Sequence, residues 1–402
     1  MRDVVAGAFE WIESMAVAAE GGPQWPEAGI PYDDLYCGTA GVLLAAAEAS
    51  TGDAQPAAVS RVAAAARDRL LHLAAGDPAA MPDDGLFTGW SGVAVALRAW
   101  GATAGDRPAA AAAERLTAAI AERTMRRTLE PDRYTDIISG DAGIILALLG
   151  PPEPSPEALE AAGRLAGGLV ALADERPEGP HWMMGAGYER LMPGFSHGTA
   201  GVAYALAVAG RALGRDDLVA IAVRAADGLM TMAGFPQRWA VPLVVPPQEH
   251  RPPVMFGWCH GPSGTARLFT LLDAVDPQPR WSAAVEAALG ALRDSRLPER
   301  LYPGYWDNVA RCCGTAGVGQ FLLQCYRTAG DPALLEWAHV LAADVLSRTV
   351  QRPDGVTWSN TEHTKTPPDL PPEPGFMQGS AGVASWLARL AAPATPPLLH
   401  WL

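Results

Sequence analysis

Residues 197–210 read HGTAGVAYALAVAG, a Gly-x-x-Gly step that leads directly into an apolar run. The same arrangement occurs seven times along the 402-residue chain, with 51 to 65 residues between successive first glycines. The seven steps are Cys37-GTAG, Thr88-GWSG, Ser139-GDAG, His197-GTAG, His260-GPSG, Cys313-GTAG and Gln378-GSAG. A repeat of this length is typical of one helical hairpin together with its loops.

The runs that follow the steps are hydrophobic nearly all round, which predicts buried helices, whereas the segments between them are amphipathic. We therefore predict an all-α fold of seven helical hairpins, in which seven inner helices alternate with seven outer helices. Neither end of the chain has the polar cap that an open solenoid needs, so we expect repeat seven to pack on repeat one. The predicted fold is an α/α toroid, a single domain over residues 1–402, without any strand of useful length.

The glycines of each step predict a tight turn and a close backbone approach. We also expect them to leave the N–H groups of the first helical turn unobstructed. If all seven inner helices begin at the same end, the residues just before each step converge on one central cavity. Long proline-rich loops lead into four of the steps and predict a rim around this cavity, at residues 177–195, 235–257, 297–311 and 352–377.

The composition excludes several classes of protein. The net charge is −14 and no block of basic residues occurs, which argues against nucleic acid and anionic membranes as partners. No apolar run reaches the roughly 18 residues of a membrane span, and acidic residues interrupt the N-terminal segment where a signal peptide would be apolar. We therefore expect a cytoplasmic protein, in which clustered cysteines indicate metal binding or catalysis rather than disulfides.

Three of the five cysteines stand beside two consecutive steps, namely Cys259, Cys312 and Cys313. Adjacent repeats would bring these thiols together, and a position at a helix N-terminus favours the thiolate form. Three thiolate ligands with an open fourth position describe a catalytic zinc site. The alternative is that these are buried apolar cysteines, and this is our interpretation of Cys37 and Cys325.

Three further residues are candidates for proton transfer. His197 precedes the fourth step and would face the same cavity, which suits an acid/base role. His260 directly follows a proposed ligand, and it could bind the metal or transfer protons. Asp136 lies in the loop before the third step, where it could take part in the chemistry or cap a helix; the sequence alone leaves both roles open.

Five motifs of the chain resemble those of the lanthionine synthetase C (LanC) cyclases. In order, they are DIISGDAG, FSHGTAG, WCHGPSG, CCGTAG and GFMQGSAG. The resemblance covers essentially the whole chain. It implies a toroid whose zinc ion is held by Cys259, Cys312 and Cys313, with His197 and Asp136 handling protons. It also implies the addition of peptide cysteine thiols to dehydroalanine or dehydrobutyrine, which forms lanthionine or methyllanthionine rings.

Two departures from the family pattern affect the site. Most LanC cyclases have Cys-His-Gly where this chain has Cys312-Cys313-Gly314, so the third ligand becomes a thiolate, as in some lanthipeptide synthetases. The extra negative charge should make a bound substrate thiolate more reactive. Met255 and His260 replace an arginine and a tyrosine that are frequent in bacterial cyclases, and His260 resembles the WCHG motif of eukaryotic LanC-like proteins.

The resemblance also implies partners. The substrate would be a dehydrated precursor peptide with a leader, and a separate dehydratase would supply it, because the seven repeats leave no room for a dehydratase domain. Two alternatives remain open: an enzyme that adds glutathione to dehydroamino acids, as some eukaryotic LanC-like proteins do, and a non-catalytic zinc-binding toroid subunit of a peptide-modifying complex. A glycosidase is disfavoured because it needs paired acidic catalysts.

Overall fold

The structure, a computed structural model, describes residues 1–51, 56–76, 83–185, 187–234, 236, 239–249, 252–299, 308–360 and 370–402. The helices are α1 (Arg2–Ser14), α2 (Thr39–Ala49), α3 (Ala57–Ala75), α4 (Trp90–Ala104), α5 (Arg107–Arg126), α6 (Asp141–Leu148), α7 (Pro156–Ala171), α8 (Thr199–Leu213), α9 (Asp216–Met232), α10 (Pro262–Val275), α11 (Pro279–Asp294), α12 (Thr315–Ala329), α13 (Pro332–Ser347) and α14 (Ser380–Ala391). Parts of the predicted rim loops lie outside the described residues.

The chain divides into two compact units. Unit 1 comprises Met1–Ala80, Gly92–Glu114 and Leu297–Leu402, and unit 2 comprises Met81–Ser91 and Arg115–Arg296. The prediction of a single domain stays a prediction. None of the described helices combines the length and the apolar character that crossing a membrane requires.

The predicted all-α class is confirmed, and so is the alternation of two kinds of helix. The even-numbered helices are buried around their circumference: all eleven residues of α2 and all eight of α6 are buried. The odd-numbered helices bury one stripe, which in α3 consists of Ala58, Val59, Val62, Ala63, Ala66 and Leu70. The even-numbered helices are thus the inner ones and the odd-numbered helices the outer ones.

Five of the inner helices pack against the outer helix that follows them. This holds in unit 1 for α2 with α3 and α12 with α13, and in unit 2 for α6 with α7, α8 with α9 and α10 with α11. Within unit 1, α14 also packs against α2 and α1. Repeat seven therefore contacts repeat one, as the prediction of a closed arrangement requires.

The first turns of the inner helices correct one expectation, because their N–H groups are not left open. In α8, the N–H groups of Thr199 and Ala200 donate to the carbonyls of Met192 and Pro193, both at 3.1 Å. The same bond from a residue to the carbonyl seven positions earlier occurs at the start of α2, α4, α6, α12 and α14. The approach loop thus folds back over the helix end and satisfies donors that have no partner within the helix.

This fold-back explains why both ends of each step are glycine. A Cβ built on Gly198 would lie 1.4 Å from the Met192 carbonyl oxygen, and one on Gly201 would lie 2.0 Å from the Phe195 carbonyl oxygen. The loop backbone occupies the space that a side chain would need, so only glycine fits.

Three short β-hairpins were not predicted. They pair β1 (Trp25–Glu27) with β2 (Ile30–Tyr32), β3 (Asp174–Arg176) with β4 (Gly179–His181), and β5 (Val350–Arg352) with β6 (Gly355–Thr357). Strands of three residues are too short to produce a detectable alternation of polar and apolar residues. Each hairpin follows an outer helix, and a buried tryptophan in or just after the hairpin fixes it to that helix. The indole N–H donates to a carbonyl 13 residues earlier: Trp25 to Ile12, Trp182 to Leu169 and Trp358 to Val345.

Unit 1 also contains a buried ion pair directly beside the cysteines. The Arg311 guanidinium donates to both carboxylate oxygens of Glu48 at 2.6 and 3.1 Å, and both side chains are 2% exposed. Burial alone would raise the pKa of Glu48, but the positive charges of Arg311 and Arg389 outweigh it and hold this pKa below its usual value. Glu48 is therefore ionised at neutral pH, and the pair ties α2 to the residue before Cys312.

We expect Glu48→Gln to lower the free energy of unfolding by about 3–5 kcal/mol, because it leaves the buried Arg311 without its counter-ion. The measurement is urea denaturation at pH 7, compared through the midpoint and slope. Glu13→Gln is the matched control: Glu13 pairs with Arg61 on the surface, and such a pair contributes about 1 kcal/mol or less. Equal losses in the two variants would contradict the assigned role of the buried pair.

Candidate metal centre and acid–base pair

Apart from Asp136, the candidate residues occupy two positions of the repeat. These are the residue directly before the first glycine (position −1) and the one before that (position −2). Backbone bonds link position −2 of one repeat to position −2 of the next: in unit 2, Phe87 N donates to Ile138 O at 2.8 Å and Ser196 N to Cys259 O at 2.9 Å. In unit 1, Cys312 N donates to Met377 O at 2.8 Å, and Met377 N to Tyr36 O at 2.9 Å. These bonds hold the main chain of the candidate ligands Cys259 and Cys312.

Unit 2 contains a hydrogen-bonded pair of a histidine and an aspartate. His197 Nδ1 lies 2.6 Å from Asp136 Oδ2; Asp136 is fully buried, whereas the His197 side chain is 28% exposed. Because a carboxylate only accepts, Nδ1 carries the proton, and Nε2 is the atom able to exchange a proton with a substrate. The other oxygen of Asp136 accepts from Ser139 N at 2.9 Å. Asp136 therefore caps the turn before α6 and also holds the ring of His197; its part in the chemistry stays a prediction.

His260 and Cys259 lie beside this pair in unit 2. The ring of His260 is 5.8 Å from that of His197, centroid to centroid. Beneath them, buried Trp258 packs edge-on against Phe195 at 5.6 Å. This aromatic contact and the bonds from Phe195 N and Ser196 N to the Cys259 carbonyl, both at 2.9 Å, hold the main chain around Cys259.

Unit 1 brings Cys312 and Cys313 together with two polar side chains. The two sulfur atoms are 3.5 Å apart. The Tyr36 hydroxyl donates to Cys312 Sγ at 3.4 Å, and Gln378 Nε2 donates to Cys313 Sγ at 3.3 Å and to the Tyr36 oxygen at 3.1 Å. Burial, and then the negative charge of the Cys312 and Cys313 sulfur atoms, raise the pKa of Tyr36.

Among the described residues, the group of His, Cys, Asp or Glu side chains that could hold a metal ion consists of Cys259, Cys312 and Cys313. Three thiols are soft donors of the kind that zinc prefers, and three protein ligands leave one tetrahedral position for a substrate. The donor set therefore fits zinc.

The other two cysteines lie outside this group, and both are buried. Burial, followed by the charge of Asp34, raises the pKa of Cys37 far above its usual value. Cys37 therefore stays a thiol and does not have the thiolate form that a metal needs. This agrees with the interpretation of Cys37 and Cys325 as core residues.

Tyr36 and Gln378 were missed as functional candidates, although the repeat contains a signal for both. Tyr36 occupies position −2, as Cys259 and Cys312 do, and Gln378 occupies position −1, as Cys313 does. The sequence analysis did not select them because neither an amide nor a phenol is a common zinc ligand.

Met255, which replaces the family's arginine, is half-buried.

The pairing of His197 with Asp136 can be tested without an activity assay. We expect the Nδ1 proton of His197 to give a downfield NMR signal that Asp136→Asn abolishes, because the short bond to a carboxylate is lost. Asp34→Asn is the matched control: Asp34 stands at the same place in repeat one, where its carboxylate accepts from Cys37 N at 2.9 Å and Gly38 N at 3.1 Å. A signal that survives Asp136→Asn would contradict the pairing.

Comparison with known proteins shows the fold and the family of the chain. The nisin cyclase structure matches 97% of this chain and 93% of its own length with a TM-score of 0.64 at 15% identity, which shows a common fold. A cellobiose 2-epimerase from Spirochaeta thermophila, with 15% identity over 97% of this chain and 94% of its own, has a TM-score of only 0.49 and supports no inference. No curated protein sequence matches. The model of the lanthionine synthetase C-like protein family matches residues 30–401, and the chain therefore belongs to this family.

Proposed function

We propose that this protein is a zinc-dependent lanthipeptide cyclase, which adds peptide cysteine thiols to dehydroalanine or dehydrobutyrine. The observation that carries the proposal is the group Cys259, Cys312 and Cys313 in a member of the LanC-like family. The pair of His197 and Asp136 supports it, because a cyclisation of this kind needs a proton carrier.

The reaction balances without any oxidant or reductant. A bond forms between the substrate sulfur and the β-carbon as the carbon–carbon π bond breaks. The thiol loses its proton, and one proton is delivered to the α-carbon, so the net change is the addition of S–H across the double bond. Zinc, when bound by the three cysteines, supplies a Lewis acid that favours the thiolate of the substrate cysteine near neutral pH. The nucleophile and the acceptor belong to one peptide, so correct positioning contributes much of the acceleration.

His197 is assigned the protonation of the α-carbon. Asp136 fixes the Nδ1 proton, and Nε2 is then free to take up a proton and release it to the substrate. Asp136 also stabilises the imidazolium that forms in between. His260, with its ring 5.8 Å from that of His197, is the second candidate for the same proton.

The proposed substrate is a dehydrated precursor peptide with a leader, which a separate dehydratase prepares in the cytoplasm. The net charge of −14 suits a cationic peptide. Glutathione addition and a non-catalytic role in a peptide-modifying complex are distinguishable outcomes of the experiments below.

We expect the purified protein to contain about one zinc ion per chain, as a three-thiolate site requires. Elemental analysis after dialysis against a weak chelator measures this. Cys312→Ala should lose the metal, because two thiolates remain, whereas Cys325→Ala should retain it. A wild-type protein that contains essentially no zinc would contradict the proposal.

We expect the protein to consume thiols when it is incubated with a dehydrated peptide that contains cysteine. Each ring removes one thiol that can be alkylated, so mass spectrometry after alkylation counts the rings. His197→Asn should slow the reaction about 10²- to 10⁴-fold with zinc retained, because the proton carrier is lost. His339→Asn, on the exposed side of α13, is the control with an unchanged rate.

Two further arms separate the alternatives. A cysteine-free dehydrated peptide with added glutathione should give no adduct; an adduct, with an unchanged thiol count in the first assay, would favour the glutathione reading. Zinc and peptide binding without any reaction in either arm would identify a non-catalytic subunit.

A further inference from the structure

We propose that Tyr36 and Gln378 are positioning residues, which donate hydrogen bonds to the thiolates of Cys312 and Cys313 and thereby offset the extra negative charge of an all-thiolate zinc site. The inference rests on the proposed metal site and deepens it, since it assigns a role to two residues that are not ligands.

The side chains of Tyr36 and Gln378 use all of their N–H and O–H donors in these contacts. A glutamine amide has two N–H groups: one donates to Cys313 Sγ at 3.3 Å and the other to the Tyr36 oxygen at 3.1 Å. The Tyr36 hydroxyl then donates its single proton to Cys312 Sγ at 3.4 Å. Because Tyr36 accepts a hydrogen bond while it donates one, its own donation is strengthened.

The backbone holds both residues in place. Met377 donates to the Tyr36 carbonyl at 2.9 Å and accepts from Cys312 N at 2.8 Å, so the three approach loops are tied together. The Gln378 carbonyl accepts from the Asn360 side chain at 3.0 Å. The two donors therefore approach the sulfur atoms from fixed positions, as preorganised support of a metal ligand requires.

The charge of the site explains why such donors are useful. Three thiolates around a divalent ion leave one net negative charge, and a substrate thiolate adds another. A histidine in place of Cys313 would not add this charge. Hydrogen bonds from the phenol of Tyr36 and the amide of Gln378 draw electron density from Cys312 and Cys313 without introducing a new ion, and they act in a half-buried location, where such bonds are stronger than in water.

Cobalt substitution tests this directly, because thiolate-to-cobalt absorption bands report the electron density on sulfur. We expect Tyr36→Phe and Gln378→Leu each to shift these bands to lower energy, since a thiolate without its donor is more electron-rich. Zinc affinity, measured by competition with a chromophoric chelator, should fall about 10-fold. Tyr326→Phe, in α12 and away from the thiols, is the matched control and should change neither readout.

The outcomes separate this inference from the proposed function. Wild-type protein that takes up no cobalt would overturn the metal site and this proposal together. Wild-type protein that takes up cobalt, with bands unshifted in both variants, would overturn only the role of Tyr36 and Gln378. Circular dichroism and thermal melting confirm that each variant is folded; Tyr36→Phe removes a single oxygen atom, so its band position remains interpretable even if Gln378→Leu does not fold.

Discussion

The interaction on which the rest of the structure depends is the return of the approach loop over the start of the inner helix, which the backbone bonds show at α2, α4, α6, α8, α12 and α14. Carbonyl groups seven residues back accept from the first-turn N–H groups, for example Met192 from Thr199 and Asp33 from Ala40. Without this contact, a buried helix end would keep polar groups without partners, which is unfavourable in an apolar interior. The two glycines of each step are the condition for it, because the loop backbone occupies their Cβ space.

This constraint also creates the functional positions. Once the loop is folded back, backbone bonds to the next repeat hold position −2, and position −1 follows it directly before the first glycine. The chain can then vary the side chains there without altering the scaffold: thiols at Cys312 and Cys313, imidazoles at His197 and His260, and an amide at Gln378. A preorganised backbone with exchangeable side chains is what a site with several different chemical roles needs.

Buried charge is compensated in a local and specific way in both units. In unit 1, Glu48 neutralises Arg311 directly before the two cysteines. In unit 2, Asp136 uses one oxygen for the backbone of its own turn and the other for His197. Each carboxylate links the scaffold to a neighbour of the reactive groups, so the stability of the fold and the geometry of the site depend on the same contacts.

The sequence by itself determined the repeat, the alternation of inner and outer helices, and the candidates Cys259, Cys312, Cys313, His197 and Asp136. These follow from periodicity and from residue types whose chemistry is distinctive. Only the tertiary structure decided that Asp136 pairs with His197, that Tyr36 and Gln378 contact the thiols, and that three hairpins are fixed by tryptophans. Tyr36 and Cys312 are 276 residues apart in sequence, and contacts at such separation depend on which repeats become neighbours. The local pattern of residues does not indicate which repeats become neighbours, since that depends on the packing of whole helices.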